Sequence, residues 1–428
     1  MKRNWNCKRT GAVLLSLTLL AGLTACGQTR SSADAAETAA VASTANVVTD
    51  GATDTTDLFT DRDLTQTPDL TDAQTMTLAD GDVLTITDAG VYVLSGDAEN
   101  AQVVVEASDD AKVQLVLDGL TVTNESTPVI YVKSADKVFV TTSSDNSLAV
   151  TGAFTPDGDT NTDAVLFSKD DLVLNGTGSL TIASTANGVS CKDELKLTGG
   201  TLTIDCAADA LEANDAVAIA DGSVTIRAEK DGIHSENDED DSVGSVYICG
   251  GTFNITASSD GIQGTTVTQI DGGTFNITAR ECIESTYVQI NGGTLALNGS
   301  DDAINASNKS SAVQPCVEIT GGEISITMAQ GDTDAIDANG SIIVSGGTLD
   351  ITAQFAFDFD GTAQHTGGTI TVNGETVDEI TNSMMMGPGG MGGMGQMPGG
   401  EGGFGGHGGM GGPGGQNGFG DPQDTQGL

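Results

Sequence analysis

A five-residue unit that returns at nearly constant spacing constrains this chain more than any other feature. A Gly followed by a Thr-apolar-x-apolar segment, or a close variant, stands at Gly178 (GSLTI), Gly200 (GTLTI), Gly222 (GSVTI), Gly251 (GTFNI) and Gly273 (GTFNI). It continues at Gly293 (GTLAL), Gly322 (GEISI), Gly347 (GTLDI) and Gly368 (GTITV), with spacings of 22, 22, 29, 22, 20, 29, 25 and 21. Short, β-branched, alternating segments at such a period suit one coil of a parallel β-solenoid. Each coil would hold about three strands joined by tight turns, with Gly supplying the corner at positive φ. Two apolar columns keep the same register. Four residues before the Gly pair stand Leu195, Val217, Val246, Thr268, Val288, Val317 and Ile342; two before it stand Leu197, Ile219, Ile248, Ile270, Ile290, Ile319 and Val344. Stacked like on like, these side chains would fill the interior. The two 29-residue spacings place insertions at 235–242 and 305–315, expected to bulge from one face. Without interleaved amphipathic helices a TIM barrel or doubly wound sheet is excluded, and a β-sandwich would not need so regular a period.

Charge narrows the partners. The 428 residues carry 60 acidic and 16 basic side chains, a formal net charge of −44. Phosphate binding runs on Lys and Arg clusters, so a nucleic-acid partner is excluded. Aromatics are only 4% and Gly numbers 58, which fits a turn-rich all-β protein with an Ile, Val and Leu core.

A third column carries the chemistry. After each Gly-Thr strand comes an acidic residue, a small one, an apolar one and a polar one. The series runs Asp163-Ala-Val, Asn187-Gly-Val, Asp209-Ala-Leu-Glu212, Asp231-Gly-Ile-His234 and Asp260-Gly-Ile-Gln263. It goes on through Glu281-Cys-Ile-Glu284, Asp302-Ala-Ile-Asn305 and Asp334-Ala-Ile-Asp337, and ends in Phe355-Ala-Phe-Asp358. Equivalent positions in a parallel stack lie about 4.8 Å apart, and carboxylates that close repel unless something positive lies between them. Lys and Arg are too scarce to do this. Calcium, with six to eight oxygen ligands and tolerant geometry, suits the column. The candidate ligands are Asp209, Glu212, Asp231, Asp260, Glu284, Asp302, Asp334 and Asp337. The bland alternative is that these residues only cap turns, as Asx residues often do.

The termini read as accessories. Lys2, Arg3, Lys8 and Arg9 precede an apolar run at 11–23 that is too short to span a bilayer and reads as a secretory signal. It ends in Leu23-Thr24-Ala25-Cys26, similar to a bacterial lipobox in which Cys26 becomes the diacylated first residue; an ordinary signal peptide with a chance Cys is the alternative. Two acyl chains suffice for stable anchoring, so the protein is expected on the extracellular face, held to the cell membrane by lipid alone. Loss of residues 1–25 removes four basic and no acidic groups, taking the charge from −44 to −48. Residues 26–75, rich in Ala, Thr, Ser and Asp, read as a flexible linker. The folded domain is placed at 76–382. Residues 383–428 form a Gly/Met-rich tail expected to be disordered, with 21 Gly in the 42 residues of Gly387–Leu428.

One stretch makes a resemblance specific: Ala164-Val-Leu-Phe-Ser-Lys-Asp-Asp-Leu-Val-Leu-Asn-Gly-Thr-Gly-Ser-Leu-Thr-Ile182, followed by Asp-Gly-Ile units and Gly-Gly-Thr strands. It resembles a family of bacterial surface lipoproteins built on a carbohydrate-binding, right-handed parallel β-helix. The opening Leu84-Thr-Ile-Thr-Asp-Ala-Gly-Val-Tyr-Val-Leu-Ser-Gly96 is similar to that family's entry into the helix. The likeness covers roughly 76–372 and implies calcium in the coil stack. It also implies non-catalytic binding of a plant-type polysaccharide, cellulose-like or polygalacturonate. Asn187, Glu281 and Phe355 depart from the Asp-Gly-Ile pattern, so metal is least expected at their coils.

Two other functions compete. A calcium-dependent pectate lyase would need a base such as Arg280, which more simply neutralises the carboxylates beside it. His234, next to an acidic loop, reads as a solvated turn residue, and His365 as the frayed end of the stack. A structural adhesin or cell-wall spacer would need no sugar platform, and the only Trp, Trp5, lies in the signal segment. Tyr247 and Tyr287 are the remaining aromatic candidates for sugar contact, since both fall between inward columns and should face out. Met391, Met394 and Met397 could hold Cu(I) through soft thioethers, but read more simply as flexible tail. Cys191, Cys206, Cys249, Cys282 and Cys316 are odd in number and lack metal-site spacing, so most are expected to be small buried hydrophobes.

Overall fold

Alternation along a strand sends every second side chain to one face, and the repeat uses this to build an interior. The computed structural model describes residues 58–331 and 333–383. Among them the chain is all-β, with parallel strands in one 12-stranded and one 24-stranded sheet. One coil runs Asp260–Gly264, Val267–Ile270, the Gly272-Gly273 corner and Thr274–Ala279. The next runs Glu281–Ser285, Tyr287–Ile290 and Thr294–Gly299. Every strand pairs with its counterpart one coil on. Asp260 lies opposite Glu281, Ile262 opposite Ile283, Thr268 opposite Val288 and Phe275 opposite Leu295. Pairing at one repeat's distance is consistent with a solenoid. Among the described strands antiparallel pairing is confined to Thr369–Val372 with Glu375–Val377 at the C-terminal end.

The two apolar columns point inward and are buried along the whole stack, Thr268 included. They form one continuous core with the alternate residues of the third strands, where the rings of Phe253 and Phe275 stack at 4.6 Å and 5°. The corners need glycine for space as well as for φ. At Gly273, φ is 110°, and a Cβ there would come within 3.2 Å of the Gly251 carbonyl oxygen. Cys191, Cys206, Cys282 and Cys316 are buried free thiols.

The two insertions meet. Ser310 Oγ donates to the Asp241 carbonyl at 2.5 Å, and the Ser311 N–H to Asp241 Oδ2 at 3.0 Å. They share one side of the stack and are tied together there.

The folded part starts before residue 76. Linker residues 26–57 lie outside the described residues, as do the signal segment, Cys26 and 384–428, but 58–75 do not. Asp63 is fully buried, and its carbonyl oxygen accepts from Thr198 Oγ1 at 2.5 Å. Gln66 Nε2 donates to the Thr198 carbonyl at 3.0 Å, and Gln66 Oε1 accepts the Gly176 N–H at 2.8 Å. The Arg62 guanidinium sits 4.3 Å from the centre of the Phe139 ring. Low apolar content suggested a linker, but this segment is held by hydrogen bonds to the corners of distant coils.

Ile262 is fully buried at the centre of the stack. Ile262→Ala is expected to cost about 2–5 kcal/mol in urea unfolding, the range for emptying such a site; a loss below about 1 kcal/mol would contradict the packed interior.

Candidate functional site

The 12-stranded sheet brings the acidic column and its polar companion into two parallel lines. Glu212, His234, Gln263, Glu284, Asn305, Asp337 and Asp358 pair in succession along it. The acidic residues at the preceding corner are linked through their backbones. Asn187 Oδ1 accepts the N–H of Asp209 at 3.0 Å, Asp209 Oδ1 that of Asp231 at 3.0 Å, and Asp231 Oδ1 that of Asp260 at 2.8 Å. Further on, Asp302 Oδ1 accepts the Asp334 N–H at 3.2 Å. One oxygen of each of these carboxylates therefore serves as a turn cap, as an Asx residue does.

The line breaks at Asp260. Its Oδ1 is buried and has no hydrogen-bond partner, and Asp260 draws together with Glu281 and Glu284. Each offers a carboxylate oxygen, these lie within 4.8 Å of one another, and all three residues are buried. Burial is the largest cause pushing Asp260 up to about 8, followed by the charges of Asp231, Glu284 and Glu281. Glu281 is pushed to about 7, by burial and then by Glu284. Arg280 bonds Glu281 and Asp301, and Lys309 reaches Glu284 at 2.9 Å. Asn305 Oδ1, one coil away, is another buried oxygen with no partner, while its amide donates to Glu281 Oε2 at 3.0 Å. An all-oxygen set of this kind fits a hard cation such as calcium. Glu281, whose departure from the pattern argues against metal, stands inside this all-carboxylate group.

A second group, Asp209, Asp231 and His234, is compensated within itself. His234 Nδ1 lies 3.8 Å from Asp209 Oδ2 and 3.7 Å from Asp231 Oδ2, while Nε2 is 3.1 Å from Glu236 Oε2. Burial works against protonation of the ring, yet Asp209, Glu236 and Asp231 outweigh it and raise His234 to about 10. Burial likewise works to raise Asp209, but the nearby His234 ring and the hydrogen bond from the Asp231 N–H hold it below the ordinary carboxyl range. His234 is thus a mostly buried counter-ion and not a solvated turn residue.

The other candidates divide. Glu212 is spent on Asn187 Nδ2 at 2.7 Å and Lys192 at 3.4 Å. Asp302 and Asp337 are each raised to about 6, mainly by burial, with carboxylates one coil away adding to the rise in Asp337. They do not join the tight groups, and neither does Asp334. Tyr287 corrects the expectation of an outward sugar platform. Its side chain is buried with Val267 and Cys316, and its hydroxyl donates to Glu318 Oε2 at 2.5 Å. Val313 of the second insertion packs on this patch. Tyr247 is half-buried beside it. Two aromatics that sequence reasoning passed over, Tyr131 and Phe167, lie edge to face at 5.7 Å at the head of the polar column of the 12-stranded sheet, before Ser190 and Glu212, but both are buried too.

Comparison with known proteins gives three matches. A family model described as carbohydrate-binding domain-containing protein matches residues 80–333 and 283–384. A carbohydrate-binding domain-containing protein of Acetivibrio thermocellus is 35% identical over 120 residues, covering 27% of this chain and 42% of that protein. The chain thus spans less than half the length of that relative. A solved polysaccharide lyase-like protein from C. thermocellum, studied as a gadolinium derivative, is 23% identical with a TM-score of 0.43. That match covers 69% of this chain and 98% of the solved one.

The raised carboxyls set a pH dependence. A carboxyl whose folded pKa is raised favours the folded state while protonated. That contribution is complete below the unfolded value of about 4 and is lost as pH rises through the folded value. For Asp302, Asp337, Glu281 and Asp260 the loss begins near the unfolded value of about 4 and is complete only above the folded values, about 6 for the first two, about 7 for Glu281 and about 8 for Asp260. In chelator, the thermal midpoint should therefore fall from pH 5 to pH 8. A flat or rising midpoint would contradict the geometry.

Proposed function

The chain belongs to the carbohydrate-binding-domain family, and from that premise we propose that it is a cell-surface lipoprotein that binds polysaccharide without cleaving it. In this reading Cys26 carries the lipid, residues from 26 to the start of the fold form the linker, and 384–428 form an accessory tail. The in-register coils form a right-handed parallel β-helix. The observation that carries the calcium part is the buried triad of Asp260, Glu281 and Glu284 with its unpartnered Asp260 Oδ1. These residues, with Asn305 beside them, would hold the ion, and a divalent charge there supplies the neutralisation that Arg280 and Lys309 only begin.

Burial of the triad makes that ion a structural one. It also weighs against the lyase reading, because the cation of a lyase must touch substrate. Arg280, the nearest strong base, is shared between Glu281 and Asp301. The mature chain of this reading, at −48 once residues 1–25 and their four basic groups are gone, repels a polyuronate, so binding to polygalacturonate would need a cation between the two sets of carboxylates. A neutral, cellulose-like polymer meets no such barrier.

The test is sedimentation with insoluble cellulose and with polygalacturonate, each with calcium and with chelator. It is run at a temperature where the calcium-free protein is still folded by circular dichroism. Cellulose binding indifferent to chelator, and polygalacturonate binding absent or lost in chelator, are the expected results. Products absorbing in the ultraviolet would overturn the non-catalytic reading, and uronate binding that survives without calcium would overturn the charge argument.

A further inference from the structure

The third strand of each coil has a face that neither the core nor the acidic column uses. In Thr252–Ala257 and Thr274–Ala279 the apolar residues are buried, while Thr252, Asn254, Thr256, Thr274, Asn276 and Thr278 are exposed. The two strands lie side by side in register, Asn254 opposite Asn276 and Thr256 opposite Thr278. The flanking strands Ser223–Ala228 and Thr294–Gly299 extend the patch with Ser223, Thr225, Thr294 and Ala296. In a chain of 60 acidic residues, no outward position of these four strands carries a carboxylate. Acidic side chains return on either side, at Asp205 and at Glu323. The one charge on the patch, Arg227, is at its edge and pairs with Glu229 at 3.5 Å.

This surface is ordered before any ligand arrives. Asn276 Nδ2 donates to Asn254 Oδ1 at 2.9 Å, which fixes both amides and leaves the Asn254 N–H groups and the Asn276 oxygen for a partner. Threonine is stiff at χ1, so little side-chain freedom is lost on binding. The stacked Phe253 and Phe275 rings lie directly beneath. Hydroxyls and amides repeat about every 4.8 Å across strands and about every 6.8 Å along them, a regular grid of paired donors and acceptors. Concave spaces lie at both ends of these strands. One of about 550 Å³ is lined by Ser223 and Thr252, and one of about 510 Å³ by Thr278 and Asn298.

We propose that this uncharged Thr/Asn face is the polysaccharide-contacting surface, and that it takes a neutral, extended, hydroxyl-rich chain presented in a flat insoluble array. The inference rests on the carbohydrate-binding reading and adds the surface and the ligand's charge class. A polyol ribbon with regularly repeating hydroxyls matches a regular grid of donors and acceptors, and a neutral chain can approach a protein whose remaining surface repels anions. Contact here involves no metal.

The experiment is binding of the full chain to microcrystalline cellulose. Asn254→Glu with Thr278→Glu puts charge on the face at positions that do not oppose each other. Binding should weaken at least tenfold with no change in thermal midpoint, while Thr348→Glu, outside the patch, binds as wild type. Should the double Glu variant melt lower, Asn254→Ala with Asn276→Ala carries the same expectation. Wild-type binding by the face variants would overturn the proposal. So would cellulose binding that vanishes in chelator while the protein stays folded, since contact would then lie at the carboxylates. A wild type that binds calcium-loaded polygalacturonate but not cellulose overturns only this inference; one that binds neither overturns the carbohydrate reading itself.

Discussion

In a stack of parallel coils every residue lies about 4.8 Å from its counterpart one coil away, and the rest of this structure follows from that spacing. Ile on Ile makes a dry column, and Phe253 on Phe275 makes a stacked pair. The same rule sets Asp260 beside Glu281 and Gln263 beside Glu284, gathering charge that no isolated strand would hold so closely. The chain answers this in three ways. Backbone N–H groups take one oxygen of Asp209, Asp231 and Asp302. His234 stands between two carboxylates that favour its protonated form. At Asp260, Glu281 and Glu284 only the rims are neutralised, by Arg280 and Lys309.

The same periodicity separates two surfaces of opposite character. The 12-stranded sheet carries buried, unevenly compensated carboxylates, while the third strands present a neutral grid of Thr and Asn. A cation held by the first would have no need to touch a ligand held by the second. The two insertions, tied by Ser310 and Asp241, add to this division by sending Lys309 to Glu284.

What was legible in the sequence was what repeats. The coil period, the inward columns and the acidic line are visible because each coil restates them, and register then follows from alternation. What depends on a contact made once was hidden. The Thr60–Gln66 segment looked like linker because its anchors, Thr198 and Gly176, lie more than a hundred residues away. Tyr287 stands one residue before the inward Val288, so that Gln289 and not Tyr287 falls between the columns, and Glu318 and the second insertion bury it. The acidic neighbours of His234 in sequence point to solvent, whereas its column position, between Glu212 and Gln263, makes it part of the stack. Glu281 was set aside for breaking a motif, yet its extra methylene leaves the carboxylate within reach of Asp260 and Glu284.

The central claim is that self-repulsion at the buried triad leaves the fold dependent on a cation. Asp260→Asn with Glu284→Gln keeps the shapes and removes two charges, so thermal midpoints and calcium titration heats of this variant and the wild type, at pH 8, test it most directly. The account predicts that in chelator the variant melts above the wild type, because the repulsion is gone, and that its calcium heat at this site disappears. A variant that melts at or below the wild type in chelator, or that still binds calcium with the wild-type heat, would contradict it.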